Sequence, residues 1–442
     1  MRKYLPTIYF MIFLVLLALP SAGMLIKGPS ESETGEELVM PSIRTEEGWN
    51  LNYLSDLGNV FEERFAFRQE LVSAYSVISE KLFMTSTTNG VIAGEEGWLY
   101  YYDTLADFQR TNILTGRQLH NAARNLRLTS EYCANNGIDF LFVIAPNKNT
   151  LYPEYMPYYY VQGQGPSNRE LLSDLLYGSG INYTDFGNYD NLTDPDAIYY
   201  FRRDSHWNNT GAAIVSDSIL SSLGVTHHDY LSDEFTGEQI HEGDLDRMMH
   251  PSNVVPETDT IFASMPVFDY DSPVESNFDF RIGTSGQGTQ NLLMYRDSFG
   301  SSLLPFMAEP FAHAFFSRSN SCQINDIVSV MPDFLVIEKA ERFISQLCTS
   351  PSRLPAPLRE LPQGAVEVTV EDLNLAEAGD YITVTGTLPE GSYSDDSLIY
   401  IVCGDLCFEA FPVSDIDAGT EGLQALLEKN LVSTDNMRVL IL

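Results

Sequence analysis

Asp204, His206 and Ser298 are the residue types that acyl transfer needs. The first two stand one residue apart in Tyr-Phe-Arg-Arg-Asp204-Ser205-His206-Trp207-Asn-Asn-Thr-Gly-Ala. Alternate side chains of an extended segment point the same way, so this spacing lets a carboxylate and an imidazole reach one site. Ser298 comes much later, after the apolar run Asn291-Leu-Leu-Met-Tyr and Arg296-Asp297, and just before Phe299-Gly300. A hydroxyl nucleophile, a histidine that takes its proton and a carboxylate that steadies the histidine together form an acyl-enzyme machine. The chemistry requires the fold to bring the two segments together.

Each residue also has a plainer reading. A lone Asp-x-His is usually a surface pair. Here Trp207 and the helix start Asn208-Asn-Thr-Gly-Ala add a rigid polar and aromatic platform. Ser298 does not sit in a Gly-x-Ser-x-Gly elbow. The order strand, Asp-Ser, glycine, helix places it at a helix N-terminus, where backbone N–H groups can stabilise an oxyanion. The plainer role there is an N-cap or turn serine. Asp297 reads as a turn-stabilising acid. Asn147, in Pro146-Asn147-Lys148 past a strand end, either completes the oxyanion hole or makes an ordinary turn, and Lys148 faces substrate or solvent. Of Arg202 and Arg203, one is read as binding an anionic sugar and the other as bracing the loop. Arg203 and Trp207 thus join Asn147 as candidate oxyanion or substrate contacts. Tyr152, Tyr155, Tyr158, Tyr159 and Tyr160 form a cluster suited to stacking on sugars or to a structural lid.

The positioning elements follow from periodicity. Apolar residues at helical spacing fill 51–84 (Phe65, Leu71, Ala74, Ile78, Leu82). Gly90 to Tyr101 reads as a hairpin turning at Glu95-Glu96-Gly97. Leu119 to Asn136 reads as a helix ended by Gly137, and Ile138 to Ala145 as a buried strand. Helices follow at 167–178 and 210–222. After Asn291 the chain alternates: strand to Tyr295, helix Ser301 to Ala308, strand Ala312 to Phe316, helix Ile324 to Val330, strand Asp333 to Ile337. That alternation predicts βαβ units and a largely parallel sheet, with ligands at the strands' carboxyl ends. Asn147, Ser298 and Glu338 all fall at such ends, the last followed by a helix over Ala340 to Leu347. Pro351 to Pro362 has linker composition. Beyond it Val366 to Val370, Tyr381 to Thr387, Ser397 to Val402, Cys407 to Phe411 and Arg438 to Leu442 read as strands, and Leu423 to Glu428 as a helix.

The chain has 442 residues and a formal net charge of −36. That balance excludes nucleic acid as a partner, since its phosphates would be repelled. The apolar run Tyr4 to Ile26, with Arg2 and Lys3 before it and Lys27 after, is long enough to cross a bilayer. It reads as an anchor holding the body extracytoplasmic, or as a signal segment cleaved near Pro20-Ser-Ala-Gly23, which would release the body as a secreted protein. The expected organisation is an anchor over 1–27, an acidic stalk over 28–50, a catalytic domain over 51–350, a Pro-rich linker over 351–364 and a small β-rich domain over 365–442. Cys403 and Cys407 are close enough in sequence to pair, and no cysteine spacing resembles a zinc site.

The chain resembles the SGNH-hydrolase-like family of the alginate O-acetyltransferases and their Gram-positive relatives named for an Asp-His-His-Trp signature. The matching pieces are Phe65-Ala-Phe-Arg68, Val91-Ile-Ala-Gly-Glu-Glu-Gly-Trp98-Leu-Tyr, Val143-Ile-Ala-Pro-Asn-Lys-Asn-Thr-Leu-Tyr152-Pro, Tyr200 to Ala212, Gly243-Asp-Leu and Arg296-Asp-Ser-Phe. The resemblance implies an α/β three-layer sandwich with the SGNH motif order circularly permuted. It implies a triad of Ser298, His206 and Asp204, no metal or organic cofactor, and a polysaccharide acceptor. The acyl donor would come from a membrane-bound O-acyltransferase. Ser205 departs from the family's middle histidine, and Arg296 from the glycine before Asp-Ser, a change that could alter oxyanion geometry. An esterase with the same triad and a non-catalytic glycan-binding or scaffold member are the alternatives.

Overall fold

Alternation along two strands sets the layering. In Asp139–Ala145, Phe140, Phe142 and Ile144 enter one apolar cluster, and Leu141, Val143 and Ala145 enter another. In Asn291–Tyr295, Leu293 and Tyr295 join the first, and Leu292 and Met294 the second. A strand buried on both faces belongs inside a sheet covered on both sides. The computed structural model describes residues 4–29, 40–45, 48–188, 192, 197–433 and 436–442. Its main sheet has seven strands in the order Tyr183–Asp185, Asp139–Ala145, Phe334–Ala340, Asn291–Tyr295, His313–Ser317, Arg281–Ser285, Asp269–Tyr270. The first five run parallel, and at one edge Arg281–Ser285 pairs antiparallel with both His313–Ser317 and Asp269–Tyr270.

Helices Gly116–Asn135, Asn168–Leu176 and Ile324–Val330 cover one face, through Leu119, Leu126, Leu172 and Ile327. Helices Asn209–Ser222 and Phe299–Ala308 cover the other, through Ala212, Ile219, Leu303 and Met307. Two of the covering helices begin with reciprocal capping boxes, Thr115 with Gln118 and Ser167 with Glu170. The fold is therefore α/β, with the parallel strands that the alternation predicts and antiparallel pairing at one edge that makes the sheet mixed. Helices Tyr53–Arg64 and Arg68–Phe83 precede it, separated at Phe67, whose φ is 66°. The hairpin is present as Val91–Ala93 and Leu99–Tyr101.

Helix Leu5–Lys27 rises about 35 Å at the usual step per residue, enough to span a bilayer's hydrocarbon. By length and composition it qualifies as a membrane span, and a signal sequence would qualify equally. Residues 30–39, 46 and 47 of the expected stalk lie outside the described residues.

Four expectations are corrected. Leu423–Glu428 is not a helix but part of strand Thr420–Glu428, paired on both edges with Tyr381–Thr387 and Phe411–Asp415. Its Leu423, Ala425 and Leu427 alternate into a core, a period of two that a six-residue window hides. Glu338 does not lie past a strand end, because the strand continues to Ala340, and the helix expected over 340–347 is only short turns at Glu341–Phe343 and Gln346–Thr349. Over the Pro-rich stretch, whose reading as a linker stands apart from these corrections, Leu354 is buried, Leu358–Arg359 pairs with Leu406–Glu409, and Arg359 joins Glu131 to Glu409. Cys403 and Cys407 are both free thiols, since Cys407 faces Val402 across the hairpin and the two side chains enter different clusters.

Candidate active site

The loop that carries Asp204 is a closed, doubly braced turn. Tyr200 bridges Trp207, Asn208 N donates to Tyr199 O (2.8 Å), and Phe201 N donates to His206 O (3.2 Å). Asn208 caps the following helix through Gly211 N. A side chain at Gly211 would stand 2.5 Å from Tyr199 O, so the Thr-Gly-Ala start is needed for this close approach. From beneath, Lys148 Nζ donates to the carbonyls of Phe201, Arg202 and Asp204 at 3.0, 3.0 and 2.6 Å. Lys148 is 3 % exposed, so it faces neither substrate nor solvent, and burial pushes its pKa down to about 7.

Within that turn Asp204 is the hub. Its Oδ1 accepts from His206 Nδ1 (2.7 Å) and His206 N (2.9 Å). Its Oδ2 accepts from His241 Nε2 and Asp244 N, both at 2.9 Å. Burial opposes the charge, but the bonds from the two histidines outweigh it and hold the carboxyl well below the usual carboxylate range. The proton on His206 Nδ1 leaves Nε2 as the basic nitrogen. Nε2 is buried and has no hydrogen-bond partner among the described residues, so Ser298 does not donate to it here.

Ser298 stands at the head of helix Phe299–Ala308, at the carboxyl end of the central strand, and its side chain makes no capping bond. The turn before it is held by Asp297, which accepts from Phe299 N (2.8 Å) and Ala340 N (2.7 Å). That is the turn-stabilising role read from the sequence. The next residue, Phe299, is the meeting point of the two segments. Its ring centroid lies 5.0 Å from that of His206 and 4.9 Å from that of Trp207. Phe278 covers another side of the His206 ring at 5.8 Å. The fold therefore brings the Asp204–His206 loop against the start of the Ser298 helix.

The other sequence candidates are held by protein groups. Asn147 Nδ2 donates to Asp107 Oδ2 (2.9 Å), and its backbone N to Glu341 Oε2 (3.1 Å). Arg203 is braced by Asp246 (2.6 Å), Glu80 (3.2 Å) and the Gly97 carbonyl (3.3 Å). Trp207 is fully buried and packs on Phe299 and Tyr200. Arg296 is buried and stitches the Ser298 turn to the loop that carries Phe278, donating to Ser301 Oγ and to the carbonyls of Asn277 and Asp279. Burial lowers its pKa to about 10.

His241 and Asp244 were missed as site residues. His241 ends strand Phe235–His241, stacks on Phe201 at 3.6 Å and reaches Asp204 from outside its loop. Asp244 accepts from Ser205 N and Ser205 Oγ. The one available signal was the Gly243-Asp-Leu motif. A side chain at Gly243 would stand 2.2 Å from Arg203 O, so glycine lets this segment touch the Asp204 loop.

Asp204, His206 and Asp244 also place ligand atoms within 4.8 Å of one another, the one such metal-competent grouping among the described residues. The donor set does not suit a cation. Each Asp204 oxygen already accepts two N–H donors, and His206 Nδ1 points its proton at the carboxylate. The arrangement suits a base held by an acid.

Comparison with known proteins links this site to a family. Residues 91–264, which contain Asp204 and His206 but not Ser298, match the family model described as SGNH hydrolase-like domain, acetyltransferase AlgX. This part of the chain is similar to SGNH hydrolase-like domains, the resemblance that the sequence motifs carry. A curated relative, the probable alginate O-acetylase AlgJ of Pseudomonas aeruginosa, is 24% identical over 199 residues, 42% of this chain and 47% of that protein. The chain thus spans about half the length of that relative. Among solved structures, a DHHW family protein from Eubacterium siraeum aligns with a TM-score of 0.41 at 14% identity, covering 59% of this chain and 93% of that one. Bacillus cereus PatB1 aligns with a TM-score of 0.44 at 11% identity, covering 58% and 98%.

Proposed function

We propose that this chain is an O-acetyltransferase of the SGNH hydrolase-like type that moves an acetyl group onto hydroxyls of a cell-surface or secreted polysaccharide. One observation carries the reading: a buried imidazole, fixed through Nδ1 by a four-times hydrogen-bonded aspartate, keeps its Nε2 without a partner among the described residues, beside the head of the Ser298 helix. In the proposed reaction Ser298 Oγ attacks the acyl carbonyl carbon while His206 Nε2 takes its proton. The tetrahedral oxyanion forms against backbone N–H groups at the helix start. His206 returns the proton to the leaving group as the C–O bond breaks, leaving acetyl-Ser298. A sugar hydroxyl then loses its proton to His206, attacks the acyl-serine and frees Ser298, whose oxygen takes the proton back. Catalytic hydrogen bonds commonly tighten only when substrate is bound, and the Ser298–His206 bond is assigned to that state.

In this reading Asn147, Arg203 and Trp207 shape the site without touching substrate. The SGNH motif order is permuted, with the serine block last. Helix Leu5–Lys27 anchors the body on the outer side of the membrane, where an acyl donor would be handed over by a membrane-bound O-acyltransferase. The name of the relative AlgJ supports a polysaccharide acceptor.

The test is cleavage of a chromogenic acetyl ester by the purified protein, with and without oligosaccharide. Acetylated oligosaccharide that depends on Ser298 and His206 supports the proposal. Acceptor-independent hydrolysis alone marks an esterase. Unchanged cleavage in Ser298→Ala defeats the acyl-enzyme reading.

A further inference from the structure

A second feature lies along the 91–101 hairpin. A cavity of about 380 Å³ is bounded by Ser86, Thr88, Asn89, Tyr102, Tyr159 and Tyr160, together with the edge of the 91–93 strand. Its size falls within the range of small-molecule sites. Two of its tyrosines are exposed: Tyr102 is 45 % and Tyr159 41 % exposed. Tyr159 is nonetheless held in place, and the backbone of Tyr102 is tied to the hairpin by its N–H donating to Gly90 O (3.0 Å). Tyr159 Oη donates to Met84 O (2.7 Å), and its ring packs on Tyr160 with centroids 4.8 Å apart. The lining also includes a turn in which Ser86 Oγ donates to Thr88 O and accepts from Thr88 N. Aromatic rings lining one cavity together with hydroxyls and an amide match a pyranose, which has apolar C–H faces and an equator of hydroxyls.

Position ties the cavity to the chemistry. The 91–101 hairpin forms one wall, and Leu99 N donates to Arg202 O (2.8 Å), docking the hairpin on the Asp204 loop. Tyr101, next to Tyr102, lies 5.6 Å from the Arg342 guanidinium, which lies 5.3 Å from the Phe299 ring. The hairpin that walls the cavity is thus joined, through Tyr101 and Arg342, to the Phe299 ring at the head of the Ser298 helix.

Charge narrows the ligand. None of the cavity's lining residues is charged, in a chain of net charge −36. A uronate or phosphate-bearing sugar would find no cation there and would meet a repelling field. We infer that this cavity is an acceptor subsite for an uncharged sugar unit of the polysaccharide, with Tyr102 and Tyr159 as its stacking platforms. The inference rests on the acyl-transfer reading for the acceptor's role and stands on its own for binding.

Calorimetric titration of the full chain in detergent tests it, with glucan, chitin and galactan hexasaccharides as neutral probes and hexagalacturonate as the anionic one. At least one neutral hexasaccharide binds, and Tyr102→Ala and Tyr159→Ala each weaken it by about tenfold. Tyr177→Ala, an exposed tyrosine remote in the fold, binds as the wild type does, and equal melting temperatures show that the variants are folded. Binding of the uronate alone, binding of none of the four, or equal affinity in the tyrosine variants overturns the inference. Ester cleavage by Ser298→Ala judges the acyl-transfer reading separately, because saccharide binding at the cavity does not use that hydroxyl.

Discussion

Replacing Asp204 by asparagine separates orientation of the imidazole from its presence. The carboxylate accepts four N–H donors: two from His206, one from His241 and one from Asp244. An asparagine offers one carbonyl oxygen and one NH2 group, so two of the four donors must face an N–H. If the amide oxygen stays on His206, His241 can change tautomer and accept, which leaves Asp244 N unpaired. If the amide flips, His206 must accept at Nδ1, its proton moves to Nε2 and the base is lost. Either way one buried donor is orphaned, at about 1–3 kcal/mol. That is small beside the 5–15 kcal/mol or so of a typical domain, so the variant folds.

Activity falls much further. An aspartate-to-asparagine change in a Ser-His-Asp triad lowers turnover by about 10⁴-fold through the wrong tautomer, equivalent to about 5.5 kcal/mol of barrier. Initial rates on a chromogenic acetyl ester, with denaturant melts at several pH values, measure both effects. Because Asp204 is held well below the usual carboxylate range, its stabilisation is present above the unfolded value of about 3.9 and is lost as pH falls through the lower folded value. The stability gap between wild type and Asp204→Asn therefore closes below about pH 4. A variant within tenfold of wild-type turnover would show that Asp204 does not orient the base, and the mechanism would be wrong.

Three further perturbations probe the supports. Gly300→Ala puts a methyl carbon 2.5 Å from Arg296 Cβ and 3.0 Å from Glu338 Oε2, so the Ser298 turn must move. Ester cleavage should drop by about 100-fold for a stability loss of about 1–3 kcal/mol, and near-normal rates would mean the turn's position is not critical. His241→Gln tests the outer partner of Asp204. Burial pushes the His241 imidazolium down, but the bond to Asp204 and its charge more than reverse this, so the folded pKa is raised. Its stabilisation is thus full below the unfolded value of about 6.5 and fades as pH rises through the folded one. Thermal melts should show this substitution costing about 1 kcal/mol at pH 5.5 and less at pH 8, whereas a pH-independent gap would count against the pair. Lys148→Met removes the donor from three carbonyls under the Asp204 loop. A loss of about 2–3 kcal/mol with impaired cleavage is the outcome to check by denaturation and initial rates.

Local features were already legible along the chain. Asn291–Tyr295 and Ile324–Val330 were placed to the residue, because their apolar periods and flanking turn residues act within a few positions. The membrane-length helix follows from composition alone, and the Asp204–His206 bond from a spacing of two in a turn. Everything that needs a distant partner came from packing. His241 and Asp244 reach Asp204 from outside its loop, and Lys148 faces the carbonyls of the 201–204 loop and not solvent. Thr420–Glu428 is a strand because neighbours on both edges satisfy its backbone, which outweighs the helix-forming side chains of Leu423–Glu428. Cys403 and Cys407 stay apart because Cys407 shares a face with Val402, and the next residue, Cys403, points the other way. Spacing and period are written along the chain. Who completes a hydrogen bond, and which face is buried, is settled only when remote segments pack, since burial is what makes an unpaired polar group costly.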